Sequence, residues 1–192
     1  MRSWGRVQWR LADEWDGGFG WIVDEPLSRA SHALLLGGGV WLIDPVDVPE
    51  AEEHVRALGE PAGVLQLLDR HNRDCAEVAA RLGVPHVKLS GAGPFEAVRV
   101  VDLPRWKEIV LWWPARRVLI AADALGTFAY WVARGERLGV HPLLRLFPPR
   151  QLERLEPEHI LAGHGTGVHE GATPALQEAL RTSRRRFLRL LL

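Results

Sequence analysis

Apolar residues along this chain fall into short runs, and the runs alternate with stretches of helical spacing. Residues 33–36 and 40–44 flank Gly37, Gly38 and Gly39, which predicts two strands around a glycine turn. Residues 49–58 place Ala51, Val55 and Leu58 at helical intervals. Residues 64–68 read as a buried strand that runs into a polar segment ending at Cys75. A second helix follows over 76–82, ended by Gly83 and by Pro85 beyond it. The second half repeats the theme, with strands expected over 84–89, 95–103, 109–113, 117–121 and 159–162. Between them lies a short helix over 149–155, and Thr173 with Pro174 behind it reads as the N-cap of a C-terminal helix. Strands followed by helix, twice over and with no linker between, predict a single domain of two packed sheets with helices outside.

Composition narrows this picture without redirecting it. A chain of 192 residues with 47% hydrophobic residues is long and apolar enough to bury a core. Lys+Arg and Asp+Glu balance at 24 each, so no overall charge argues for nucleic acid or an anionic membrane as partner. Cys75 is the one cysteine, which leaves no intrachain disulfide. The first residues lack an apolar leader core, and no apolar run is long enough to span a bilayer. A reduced, cytoplasmic setting is the expectation.

Five segments, taken in order, then give the chain a family likeness. Residues 31–44 (SHALLLGGGVWLID) form a hairpin ending in an acid, and 65–82 form strand, polar loop and helix. Residues 104–113 form a later strand, 121–125 (AADAL) carry an Asp, and 161–165 (LAGHG) carry a His between glycines. Together they resemble the metallo-β-lactamase superfamily, which includes glyoxalase II, over roughly residues 30–170. The resemblance implies an α/β fold of four layers, an αββα sandwich. It also implies a dinuclear metal centre, and here the sequence departs from the pattern. Aligned on Asp74, the loop's His-x-His-x-Asp-His motif becomes Arg70, Asn72, Asp74 and Cys75, with His71 on a spacer position. The later-strand His becomes Trp106, while the bridging Asp and the last His persist as Asp123 and His164.

These losses fall unevenly on the two metals that the resemblance implies. The first would be left with Arg70, Asn72 and Trp106 beside Asp123; neither a guanidinium nor an indole coordinates, and an amide oxygen is a poor zinc ligand. The second would keep Asp74, Cys75, Asp123 and His164, each able to bind one divalent metal, zinc above all. The alternative is no metal, with the same residues as relics. In that case Arg70 supplies a positive charge between Asp74 and Asp123, which should converge with His164 at one edge of the sheets.

Two functions follow from this. One is a non-hydrolytic binding or regulatory protein for a small molecule, lacking the first metal site. The other is a mononuclear metal-dependent hydrolase of an ester, thioester or lactone, in which the metal activates water. No nucleophile elbow or nucleotide-binding glycine motif offers another chemistry. His71 and His141 are candidates to line the pocket, with His169 a third. Nine tryptophans, four of them (Trp4, Trp9, Trp15 and Trp21) near the start, suit core filling, a pocket floor or the face of a homodimer. The Arg-rich then Leu-rich end reads as a final helix docking its apolar face on the domain.

Overall fold

The computed structural model describes residues 8–70 and 73–187. His71, Asn72, Trp4 and the last five residues lie outside the described residues.

The first sheet has six strands in chain order: β1 (Trp9–Trp15), β2 (Gly18–Val23), β3 (Ala30–Leu36), β4 (Gly39–Ile43), β5 (Pro61–Gln66) and β6 (His86–Lys88). β1 to β4 run antiparallel, and β4–β5 and β5–β6 are parallel. The parallel pairs are bridged by α1 (Pro49–Leu58) and α2 (Cys75–Leu82), as parallel neighbours require. The second sheet has the order β12 (His159–Ala162), β9 (Val118–Ala121), β8 (Trp106–Trp113), β7 (Glu96–Leu103). A short pair, β10 (Leu125–Gly126) with β11 (Gly139–Val140), stands beside it, and α3 (Ala172–Phe187) closes the chain.

Side-chain alternation turns these strands into layers. On β3, β4 and β5, Leu34, Leu36, Ile43 and Leu65 join the cluster shared with β8 and β9 of the other sheet. The intervening Ala33, Val40, Leu42 and Val64 point the other way, into a cluster with Val55 of α1 and Val78 of α2. Leu176, Ala179 and Leu180 of α3 pack with the second sheet. The result is the four-layer αββα sandwich. Among the described residues no helix is long and apolar enough to cross a membrane.

Some sequence expectations shift. The helix expected over 149–155 is one turn of 3-10 helix, Arg150–Leu152. Pro148 and Pro149 supply no amide donors, and Pro157 stops the segment before a longer helix could nucleate. Thr173 is not the N-cap: α3 already begins at Ala172, and the Thr173 hydroxyl donates to the Pro157 carbonyl at 2.7 Å. The hairpin β1–β2, in which Trp9, Trp15 and Trp21 sit, adds two strands at the edge of the first sheet.

The long excursion between β10 and β12 is braced by a buried ion pair. Arg145 Nη2 meets Glu136 Oε2 at 2.7 Å with both side chains sealed from solvent. Arg145 also donates to the Trp131 carbonyl, and Ser183 of α3 donates to the Arg145 carbonyl at 3.0 Å. This brace holds Tyr130, Trp131 and His141 in place beside the end of the second sheet.

Candidate functional site

The two sheets meet where the chain leaves β5. Ile109 N–H donates to the Leu67 carbonyl and Asp69 N–H to the Lys107 carbonyl, each at 3.0 Å. Lys107 N–H returns a bond to Asp69 Oδ1 at 2.8 Å. The polar loop is thereby pinned along the first half of β8, which delivers Arg70 to Trp106. The Arg70 guanidinium lies 4.0 Å from the Trp106 ring centre. Its Nη2 donates to Asp123 Oδ2 at 3.1 Å.

Asp123 follows β9 and is almost wholly buried. Its second oxygen, Oδ1, faces His164 Nε2 at 3.1 Å. His164 Nδ1 faces the Leu27 carbonyl at 2.8 Å, so both ring nitrogens point at oxygen acceptors. The ring stacks on Trp131 at 4.3 Å, and Trp131 Nε1–H donates to the Asp123 carbonyl at 2.6 Å. His141 completes an aromatic wall, 4.8 Å from Trp106 and 5.7 Å from Tyr130. Burial, with Arg70 and His164 nearby, pulls the His141 pKa down to about 4, so it is neutral at physiological pH.

Thus Arg70, Trp106, Asp123, His141 and His164 come together at this end of the second sheet. Asp74 and Cys75 do not join them. Asp74 Oδ2 accepts from Asp47 N–H at 2.8 Å, tying the start of α2 to the loop after β4. Cys75 opens α2 with its side chain in the apolar cluster beneath the first sheet, and burial pushes its thiol pKa up. The helix turn rotates both away from Asp123. The expected four-ligand set is therefore not assembled, and Arg70 faces one carboxylate where two were expected. Among the described residues no group of three or more His, Cys, Asp and Glu side chains is placed to hold a metal. A thiol held protonated in an apolar pocket is also a poor ligand. Among the described residues the side chains at the site do not fit a metal centre. His169 is elsewhere, its Nε2 on Asp13 Oδ1 at 3.1 Å. Cys75 should resist a thiol reagent in the native protein and react only on unfolding; reaction at the rate of free cysteine would contradict its burial.

Two charged residues of the site went unmarked in the sequence. Arg73, buried, spans the seam between the sheets: its guanidinium donates to the Ala30 carbonyl, to the Asp44 carbonyl at 3.3 Å and to the Gly163 carbonyl at 2.8 Å. Glu108 is fully buried in β8, with Oε2 accepting from Trp106 Nε1 at 3.0 Å and Oε1 from Ala124 N–H at 2.7 Å. Burial and the neighbouring Asp123 charge raise its pKa to about 8. Asp44 is raised to about 6, first by burial, although Arg73 and the Leu67 N–H oppose this. The sequence signal for Glu108 was an acid two residues after Trp106, hence on the same strand face, at the head of the apolar run 109–113.

These shifts set a pH dependence. Both carboxyls have folded pKa values above the ordinary carboxylate range, so the unfolded chain ionises first. Their effect leaves stability highest below about pH 4 and erodes it as pH rises towards about 8. His141 acts oppositely, losing stability as pH falls from about 6.5 to about 4. Glu108→Gln should flatten the decline between pH 5 and 8.5, by on the order of 3 kcal/mol across that range. Equal slopes for variant and wild type in denaturation at several pH values would rule this out.

Comparison with known proteins supports the architecture alone. No described protein family matches the sequence, and no curated protein does either. Among solved structures, the DIM-1 metallo-β-lactamase superposes with a TM-score of 0.61 at 14% identity, over 93% of this chain and 100% of that one. TTHA1623, solved in a di-iron-bound form, gives 0.58 at 18% identity over 81% and 94% of the two chains. A putative diflavin flavoprotein A 5 fragment from Nostoc sp. PCC 7120 gives 0.61 at 11% identity over 96% and 100%. The chain has the metallo-β-lactamase fold.

Proposed function

We propose that this protein is a non-hydrolytic binding module for a small molecule, built on a metallo-β-lactamase scaffold whose metal chemistry has been replaced. The observation that carries the reading is Arg70, paired with Asp123 and stacked on Trp106, on the two positions where the resemblance places metal ligands. A fixed guanidinium neutralises the carboxylate that a metal would otherwise use, and it cannot generate hydroxide from water. The wall of Trp106, Trp131 and His141 behind it adds shape: the indoles offer no donor to a cation, and His141 Nδ1 already accepts from Leu143 N–H. A mononuclear hydrolase keeps one supporting feature, the contact between Asp123 and His164, but it lacks the further ligands that Asp74 and Cys75 were expected to give.

The test is elemental analysis of untagged protein purified without chelator, alongside ester, thioester and lactone assays with and without added zinc. Far less than one metal per chain and no turnover are expected. About one bound metal per chain together with metal-dependent hydrolysis would reverse the conclusion.

A further inference from the structure

Arg70 is half used. Among the described residues only its Nη2 has a hydrogen-bond partner; Nε and Nη1 have none, and the side chain is 34% exposed. One edge of the guanidinium fork is therefore available to a ligand while the other stays on Asp123, and the stack on Trp106 fixes the plane in which that edge lies. A planar fork with one free edge matches one planar carboxylate.

Large apolar side chains lie in solvent beside the residues that surround Arg70. Four of them, Leu27, Leu103, Tyr130 and Leu143, are each linked to Trp106, His141 or His164. Leu27 gives its carbonyl to His164, and Leu103 is the cross-strand partner of Trp106 at the end of the β7–β8 hairpin. Tyr130 lies against His141, and Leu143 N–H donates to His141 Nδ1 at 3.2 Å. Leu143 is 69% exposed although it sits within the 3-10 turn Pro142–Leu144. Large apolar groups grouped at the mouth of a polar site mark a surface that covers part of a ligand.

Charge sets the valence of that ligand. Asp123 pairs with Arg70, Asp44 and Glu108 are buried beside Asp123 with Glu108 largely protonated at neutral pH, and among the described residues Arg73 is the other guanidinium facing Asp44 and Asp123. A dianion such as a phosphate monoester would bring two charges to a single free fork edge, whereas a monoanion needs no more than that edge.

We infer that the site binds amphiphilic monocarboxylates, the carboxylate on the free edge of Arg70 and the apolar body on Leu103, Tyr130 and Leu143. This rests on the non-hydrolytic reading above and names its ligand class. The guanidinium edge gives the orientation, and the apolar rim gives selectivity for ligands with a hydrocarbon body over short, fully hydrated acids.

Titration calorimetry with octanoate, acetate, octanol, octylamine and octyl phosphate tests this on the wild type, Arg70→Met, Arg70→Lys and Leu143→Ser. Octanoate should bind at least about ten-fold tighter than acetate, since several methylenes leave water. It should also bind tighter than octanol, octylamine or octyl phosphate. Arg70→Met should weaken octanoate binding by about ten-fold or more, and Arg70→Lys should recover only part of the loss. Leu143→Ser, at a surface position, should weaken octanoate and leave acetate unchanged. Equal affinity for octanoate and octanol, preference for octyl phosphate, or an Arg70→Met variant that melts normally and binds as well as wild type would each overturn the inference. So would a dimer in sedimentation that Leu143→Ser dissolves, without octanoate binding, because the rim would then belong to a second copy. Turnover of p-nitrophenyl octanoate with zinc is followed in parallel. Turnover would overturn the non-hydrolytic reading and leave the ligand class standing; absent binding without turnover would overturn the ligand class alone.

Discussion

Arg73→Met should destabilise the protein by about 3–5 kcal/mol, the largest loss expected from any single change at the site. Methionine fills similar volume, so the effect isolates the charge and its donors. Three main-chain carbonyls, on Ala30, Asp44 and Gly163, would lose a charged donor in a place that water does not reach. Asp44 and Asp123 would lose their most buried cation at the same time. The Ala30 and Gly163 carbonyls belong to opposite sheets, so the loss should appear as weaker docking of one sheet on the other, lowering the denaturation midpoint rather than loosening one loop. Urea denaturation followed by tryptophan fluorescence measures it. A loss below about 1 kcal/mol would mean that the carbonyls find other donors and that Arg73 is not the fastening it resembles.

Glu136→Gln should come next, at about 3 kcal/mol. Arg145 is sealed from solvent, and Glu136 takes its charge through Nη1 at 3.1 Å and Nη2 at 2.7 Å. Without the carboxylate the guanidinium keeps the Trp131 carbonyl but no counter-charge. Arg186, 3.5 Å from Glu136 Oε1, would be left facing it as a like charge. The double variant Glu136→Gln/Arg145→Met should recover part of the loss, because a buried charge is no longer stranded. Strictly additive losses in thermal or urea melts would show that the two residues are not coupled. Arg70→Ala is a smaller case, on the order of 1 kcal/mol, since its pair with Asp123 is a third open to solvent and screened accordingly.

The sandwich was readable because its strands carry short continuous apolar runs, buried on both faces, and because chain order puts helix between parallel neighbours. The hairpin β1–β2 was harder to see. Trp9, Leu11, Asp13 and Trp15 alternate but are only half-buried and include an acid, while of the residues between them Arg10 and Glu14 are exposed and Ala12 is buried, so neither set is cleanly apolar. β2 carries two glycines in six residues and shows no alternation at all. At the site, positions set by strand ends were predictable: Asp123 and His164 follow β9 and β12, which are adjacent parallel strands, so they had to emerge side by side. Positions set by the irregular loop were not. Asp74 and Cys75 start a helix, and the first turn carries both away from Asp123, whereas an extended loop would have kept alternate residues on one side. Arg73 shows the limit most clearly. Its sequence neighbourhood is polar throughout, and nothing local says that its partners are carbonyls brought from residues 30, 44 and 163.

The position of Arg70 also fixes the order in which this scaffold could be given a metal. Asp123 has both oxygens engaged, one by Arg70 and one by His164. A histidine introduced at Trp106 while Arg70 remains adds a donor next to a fixed positive charge, which repels the cation that the donor is meant to attract. That replacement should be silent alone and gain effect only after Arg70→His. The single contact between Arg70 and Asp123 thus makes metal binding by this site a change of several steps, which no one histidine confers.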